Sequence, residues 1–264
     1  CRSGCCDYTA CACAAQERAC AGGEACVVIC SGAHACRGMT LDATAATRLD
    51  LRCSGTSACL QMTVRGPTAP GAVVSVRCEG AGLSTCYRMR LHAAAAASAR
   101  FSCATTGTTG NGCGLHAAIF CPGCDQDDTT DPWGKAIDGC AAAANNNGGG
   151  GGGGGAAAGA CSVSCTAAGS SGQFNTCYSM HVYGGARGAD VTCAEAGGAQ
   201  GTSAGTCEDL TLHAAAVAPV SIDCAACAGT SSNRSCRNEK VEGEPMRKSC
   251  VNADGSRCPG RRTG

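Results

Sequence analysis

Aromatic side chains are scarce: Phe, Tyr and Trp supply 3% of the 264 residues, and much of the 44% apolar content is alanine and cysteine. That leaves too little bulk for a conventional globular core of large interlocking side chains. A surplus of either charge is also missing. Twenty Lys and Arg offset 20 Asp and Glu, so nothing favours long-range attraction to nucleic acid or to anionic membrane. The chain has no run of about 18 consecutive apolar residues and therefore no candidate membrane-spanning helix. It begins at Cys1 without Met or a charged-then-apolar leader, and we expect a mature or processed fragment.

Cysteine is what the chain does have, 28 residues of it. Disulfides typically contribute roughly 2 to 4 kcal/mol each and substitute for missing core bulk. Such density implies an oxidising compartment, extracellular or at the cell surface.

The cysteines repeat. Apolar strands end at Cys30 (VVIC), Cys53 (LDLRC), Cys78 (VSVRC), Cys103 (ARFSC), Cys165 (CSVSC), Cys193 (ADVTC) and Cys224 (VSIDC). A second set of strands opens at Cys36 (CRGMTL), Cys59 (CLQMTV), Cys86 (CYRMRL), Cys177 (CYSMHV) and Cys207 (CEDLTL), with a degraded copy from Cys113. From the second cysteine of one repeat to the first of the next lie residues 37 to 52 (16), 60 to 77 (18), 87 to 102 (16), 178 to 192 (15) and 208 to 223 (16). Within a repeat the spacing instead climbs through 5, 5, 7, 9, 11 and 13 residues. A fixed body with one elastic loop is the mark of a solenoid whose repeats pack only on their neighbours.

Period-two alternation makes the body a set of strands rather than a helix. Val28, Leu51, Val76, Phe101, Val163, Val191 and Ile222 form one inward row two places before the first cysteine. Met39, Met62, Met89, Met180 and Leu210 form another, followed by Leu41, Val64, Leu91, Val182 and Leu212. The methionine row reads as core filler. The expected fold is therefore all-β, a disulfide-rich parallel β-helix with cysteine-rich end caps. Six or seven coils rising about 4.8 Å each give a rod on the order of 30 Å long.

Two disulfide patterns stand open. Equivalent cysteines of successive coils are close enough to bond, since disulfide Cα separations run about 4.4 to 6.8 Å. Pairing within a coil is preferred, because a bridge across the loop base lets the loop lengthen without disturbing the rod. That set joins Cys30 to Cys36, Cys53 to Cys59, Cys78 to Cys86, Cys103 to Cys113, Cys165 to Cys177, and Cys193 to Cys207.

Five regions are expected. Residues 1–25 form a cysteine-rich cap without a strand pattern, 26–124 a first β-helix block, and 125–160 an insertion with an Ala/Asn/Gly linker. Residues 161–227 form a second block and 228–264 a C-terminal cap or tail.

Candidate sites are few. CPGC at Cys121 to Cys124 and CAAC at Cys224 to Cys227 lack a second pair at zinc-ribbon spacing and read as structural disulfides. Asp125, Asp127, Asp128 and Asp131 make a weak calcium candidate that lacks the EF-hand order. His34, His92, His116, His181 and His213 read as dispersed, exposed polar positions. A row containing Thr40, Thr63, Arg90, His181 and Thr211 could order ice, but charge interrupts it and ordinary β-propensity is the preferred reading. Arg52 and Arg77 share an outward row and are candidates for gripping acidic glycans. Asn233 lies in an N-glycosylation sequon. No nucleophile motif or repeated acid pair points to catalysis, and neither cofactor nor resident metal is expected.

The run CSGTSACLQMTV, with CSGAHACRGMTL and CEGAGLSTCYRM, resembles the cysteine-repeat solenoids of secreted algal and protist proteins, in which C-x-G-x-x-[Ser/Ala]-C motifs precede short apolar strands. The resemblance spans roughly residues 26 to 124 and 161 to 227. It implies a cell-surface or flagellar-appendage component, including mastigoneme-type fibres, and brings no catalytic residue. The expected role is a structural subunit of an extracellular filament, wall or coat. Its partners would be further copies, other extracellular structural proteins, or glycans. A glycan-binding adhesin is the main alternative; a polysaccharide-active enzyme or an ice-binding protein follows.

Overall fold

The computed structural model describes residues 5–7, 17–80, 84–105, 112–124, 161–168, 176–185, 188–196, 206–213, 220–225, 240–242 and 247–249. Asp125, Asp127, Asp128, Asp131 and Asn233 lie outside them. Among the described residues there is no helix, and all the paired strands run parallel.

Nine strands form one sheet: β1 (Cys5–Asp7), β3 (Ala25–Ser31), β5 (Arg48–Ser54), β7 (Val73–Gly80), β9 (Ser98–Thr105), β11 (Cys161–Ala168), β13 (Ala189–Ala196), β15 (Val220–Ala225) and β17 (Arg247–Ser249). Eight strands of three residues form the other: β2 (Glu17–Ala19), β4 (Thr40–Asp42), β6 (Thr63–Arg65), β8 (Arg90–His92), β10 (Ala118–Phe120), β12 (His181–Tyr183), β14 (Thr211–His213) and β16 (Lys240–Glu242). The chain visits the two sheets alternately, and each strand pairs with its counterparts in the preceding and following coils. The fold is a disulfide-rich parallel β-solenoid.

Register puts like on like. Cys30, Cys53, Cys78, Cys103, Cys165, Cys193 and Cys224 are successive Cα partners across the long sheet. The row through Val28, Leu51, Val76, Phe101, Val163, Val191 and Ile222 is buried, as are the methionine row and the row from Leu41 to Leu212. Burying a side chain of this size contributes about 1.5 to 3 kcal/mol. The core is thus a set of columns rather than a globule.

One expectation needs correction. The cysteines at 36, 59, 86, 177 and 207 do not open strands; each sits in a turn, and the strand starts four residues later, at Thr40, Thr63, Arg90, His181 and Thr211. Within the expected N-terminal cap lie β1 and β2, which pair in register with β3 and β4. In the expected C-terminal region β16 and β17 likewise extend both sheets. The two blocks form one stack, as the expected single rod requires, because β9 pairs directly with β11, and β10 with β12. The insertion leaves and re-enters between adjacent coils.

Two corners join the sheets. At the first, Cys36, Cys59, Cys86, Cys177 and Cys207 all adopt left-handed backbone, with φ between 53° and 58°. Two residues on, Gln61, Arg88, Ser179 and Asp209 do the same. This conformation costs a non-glycine residue roughly 1–2 kcal/mol. Hydrogen bonds between coils offset it: the Cys59 amide donates to the Ala35 carbonyl at 2.8 Å, and the Gln61 amide to the Tyr87 carbonyl at 2.7 Å.

The second corner is built from small residues. Ala43 to Ala46 and Ala93 to Ala96 each close a turn with the last amide donating to the first carbonyl, at 2.9 and 3.0 Å. The Thr44 hydroxyl and amide cap Asp42 at the first of these turns and hold its carboxyl below the ordinary range. Gly66 takes the place of Ala43 one coil later, and a Cβ there would meet the His92 carbonyl oxygen at 2.7 Å.

Candidate functional site

The cysteines of both corners are covalently committed. Disulfides join Cys30 to Cys36, Cys53 to Cys59, Cys78 to Cys86, Cys103 to Cys113, Cys165 to Cys177, and Cys193 to Cys207, with Cα separations from 5.8 to 6.3 Å. Their sulfurs stack along the axis; those of Cys30, Cys53 and Cys59 lie within 4.8 Å of one another, as do those of Cys53, Cys78 and Cys86. Metal ligation needs a thiolate, and none of these sulfurs is free to supply one.

The second corner has its own bridges, from Cys20 to Cys26 and from Cys121 to Cys161. CPGC is therefore neither a local disulfide nor a redox loop. It forms the corner that alanines form elsewhere, with the Cys124 amide donating to the Cys121 carbonyl at 3.1 Å. Cys124 is disulfide-bonded too. The Cys121 to Cys161 bridge ties the chain on either side of the insertion. Its sequence signal was the shared opening of CVVIC and CSVSC, which place Cys26 and Cys161 on the inward row. Of CAAC, Cys224 lies in β15 and Cys227 outside the described residues.

The copy starting at Cys113 is displaced by one. Gly114, not Cys113, makes the intercoil hydrogen bond that cysteine makes in other coils, donating to the Thr85 carbonyl at 2.9 Å. It also has their left-handed backbone, at φ 70°. A Cβ on Gly114 would meet Cys103 Sγ at 2.9 Å and Met180 Cε at 3.0 Å. The disulfide arriving from Cys113 leaves no room for another side chain.

On the outer face of the short sheet, histidines and aromatics form a ladder. The rings of His92, Phe120, Tyr183 and His213 stack at centroid distances of 4.7, 4.6 and 4.3 Å, and His181 Nδ1 lies 3.1 Å from His213 Nε2. This corrects the reading of dispersed, exposed histidines: only His34 is exposed, and the other four are half-buried. Phe120 and Tyr183 are buried, in a small cluster with Ala118 and Cys124. His116 lies edge-on to Tyr87 and Tyr178, and burial lowers its pKa, helped by Arg88 and His181. The threonine row is broken by Arg90, Ala118 and His181, and Thr211 is buried.

The outer face of the long sheet is polar. Arg52 and Arg77 are register partners, and both are exposed. Arg52 Nη2 bonds Asp50 Oδ2 on its own strand at 3.2 Å, leaving Asp50 Oδ1 buried without a hydrogen-bond partner. Arg100 adds an exposed guanidinium on the next strand, in the row of Asp50 rather than that of Arg52. Among the described residues no carboxylate pairs with Arg77 or Arg100. Farther along the same rows come Ser162 and Ser164, then the exposed Asp190 and Asp223.

Comparison of the chain with protein-family models, curated proteins and solved structures finds no match.

Proposed function

We propose that the chain is a structural subunit of an extracellular filament, wall or surface coat. One observation carries this reading: a single unbroken register runs through both sheets, with covalent bridges closing the coils at their corners. That construction gives a stiff element of repeating cross-section on the order of 40 Å long, from nine strands spaced about 4.8 Å apart. The disulfides fit an oxidising compartment, and no described helix is long and apolar enough to cross a membrane. Secretion, and a mastigoneme-like setting, belong to the same proposal. It assigns no catalytic residue. Immunogold electron microscopy of native source material is expected to label a filament, wall or coat; labelling confined to isolated monodisperse particles would sink the reading.

A glycan-binding role for the arginine face is the second reading, favoured by exposed Arg77 and Arg100 on neighbouring strands. Binding to acidic sugars on a glycan array, lost in Arg52→Ala/Arg77→Ala and in Arg77→Ala/Arg100→Ala, supports it. A blank array counts against it.

A further inference from the structure

Four charges on the outer face of the long sheet are arranged about β11. Arg100 on β9 and Asp190 on β13 stand one strand to either side of it and share one row, with Ser162 between them. Arg77 on β7 and Asp223 on β15 stand two strands to either side and share the other row, with Ser164 at the centre. All four charged residues are exposed. Consider a two-fold axis parallel to β11, midway between two such faces. It keeps each row opposite itself and reverses the stacking order. Arg77 then faces Asp223 of a second copy, Arg100 faces Asp190, and the serines of β11 meet at the centre.

We propose that this face binds a second copy of the chain, side by side, with the solenoid axes antiparallel. The interface is isologous, as a two-fold contact must be: each pair occurs twice, and no guanidinium among the four meets another. A long arginine opposite a short aspartate suits the spacing of roughly 10 Å between packed sheets. Between β7 and β15 the other positions on these rows are also compatible. Ser75 falls opposite Ser221, and Ser102 opposite Thr192, small hydroxyls that leave room for bridging water.

The size of the face sets the strength. Five strands at about 4.8 Å by five residues at about 3.3 Å give a footprint of roughly 24 by 16 Å per copy, below the standard size of specific interfaces and in the range of weak, transient contacts. Exposed ion pairs individually add little and are screened by salt. The dimer is therefore weak, and it loosens as ionic strength rises. This contact depends on the face alone, and it stands or falls independently of the filament reading.

The test is sedimentation equilibrium of the full, oxidised chain from micromolar to about 1 mM, in low and high salt. The wild type is expected to dimerise at low salt. Arg77→Asp/Arg100→Asp should weaken the dimer by at least roughly tenfold. The fourfold exchange Arg77→Asp/Arg100→Asp/Asp190→Arg/Asp223→Arg restores every pair and should restore the dimer. Mixed with wild type, that fourfold variant should form no heterodimer, because like charges then meet. A wild type that stays monomeric across the range, a dimer indifferent to Arg77→Asp/Arg100→Asp, or a fourfold variant that folds with its disulfides intact yet does not dimerise would overturn the proposal.

Discussion

The corners at Cys59 and Gly114 perform the same task with different residues. At Cys59, cysteine takes the left-handed position, and Met62 fills the core three residues later. At Gly114 the disulfide arrives from the residue before, the left-handed position is glycine, and Ala117 stands where other coils carry Met or Leu. Both corners make the same intercoil hydrogen bonds. What the solenoid repeats at this corner is a backbone path and a filled volume, and the sequence has two ways of supplying them.

The largest break in this comparison should come from the methionine column. Met62→Ala leaves a hole in a fully buried row and is expected to cost about 2–5 kcal/mol. Ala117→Met, which restores the regular residue type, is expected to destabilise by about 1–3 kcal/mol, because Ala117 is fully buried and a longer side chain must push its neighbours apart. Chemical denaturation of the oxidised proteins measures both; a stabilising Ala117→Met would show that the two corners are not filled to the same volume.

Gly114→Ala should follow, at about 2 kcal/mol or more, combining left-handed backbone with contact against Cys103 Sγ and Met180 Cε. Gly38→Ala is the control, at about 1 kcal/mol, since Gln61 and Arg88 take the equivalent left-handed position in the following coils. Equal costs for the two substitutions would remove the special role given to Gly114.

The smallest effect concerns His116, which occupies the equivalent position in the Gly114 coil. Its lowered pKa means that the unfolded state binds more protons than the folded one as pH falls below the ordinary histidine value of about 6.5. The neutral ring's contribution is present above that pH and is lost on acidification through the folded pKa. An NMR titration should place His116 below the ordinary histidine value, and His116→Asn should flatten the fall in melting temperature between about pH 7 and pH 5. An unshifted titration would remove this term.

Much of the scaffold could be read from the chain because parallel in-register stacking turns one-dimensional spacing into columns. The inward rows through Val76, Met89 and Leu91 follow from counting residues from a cysteine. Counting fails wherever residue type does not determine backbone conformation. Cys59, Gln61 and Arg88 give no local sign of positive φ, and their turns were read as strand starts. Counting from Cys113 rather than Gly114 also puts that coil one residue out. The end strands carry too few apolar residues to announce themselves. The functional surfaces were only partly legible for a different reason. Arg52 and Arg77 share a cysteine-relative position, so they were found together. Arg100 belongs to the adjacent row. Phe120 and Tyr183 lie on opposite sides of the insertion, and only the β10 to β12 pairing brings their rings together.

The central claim is a single stack whose widening loops are bridged at their own bases. Because neighbouring bridges stack with their sulfurs within 4.8 Å, bonding between coils is the close competitor. Mass-spectrometric mapping of the oxidised chain, digested at acid pH to prevent exchange, tests it most directly. The expected linked peptides join Cys53 to Cys59, Cys78 to Cys86 and Cys165 to Cys177 within coils, and Cys121 to Cys161 across the insertion. Peptides linking Cys53 to Cys78 or Cys59 to Cys86 would contradict the account.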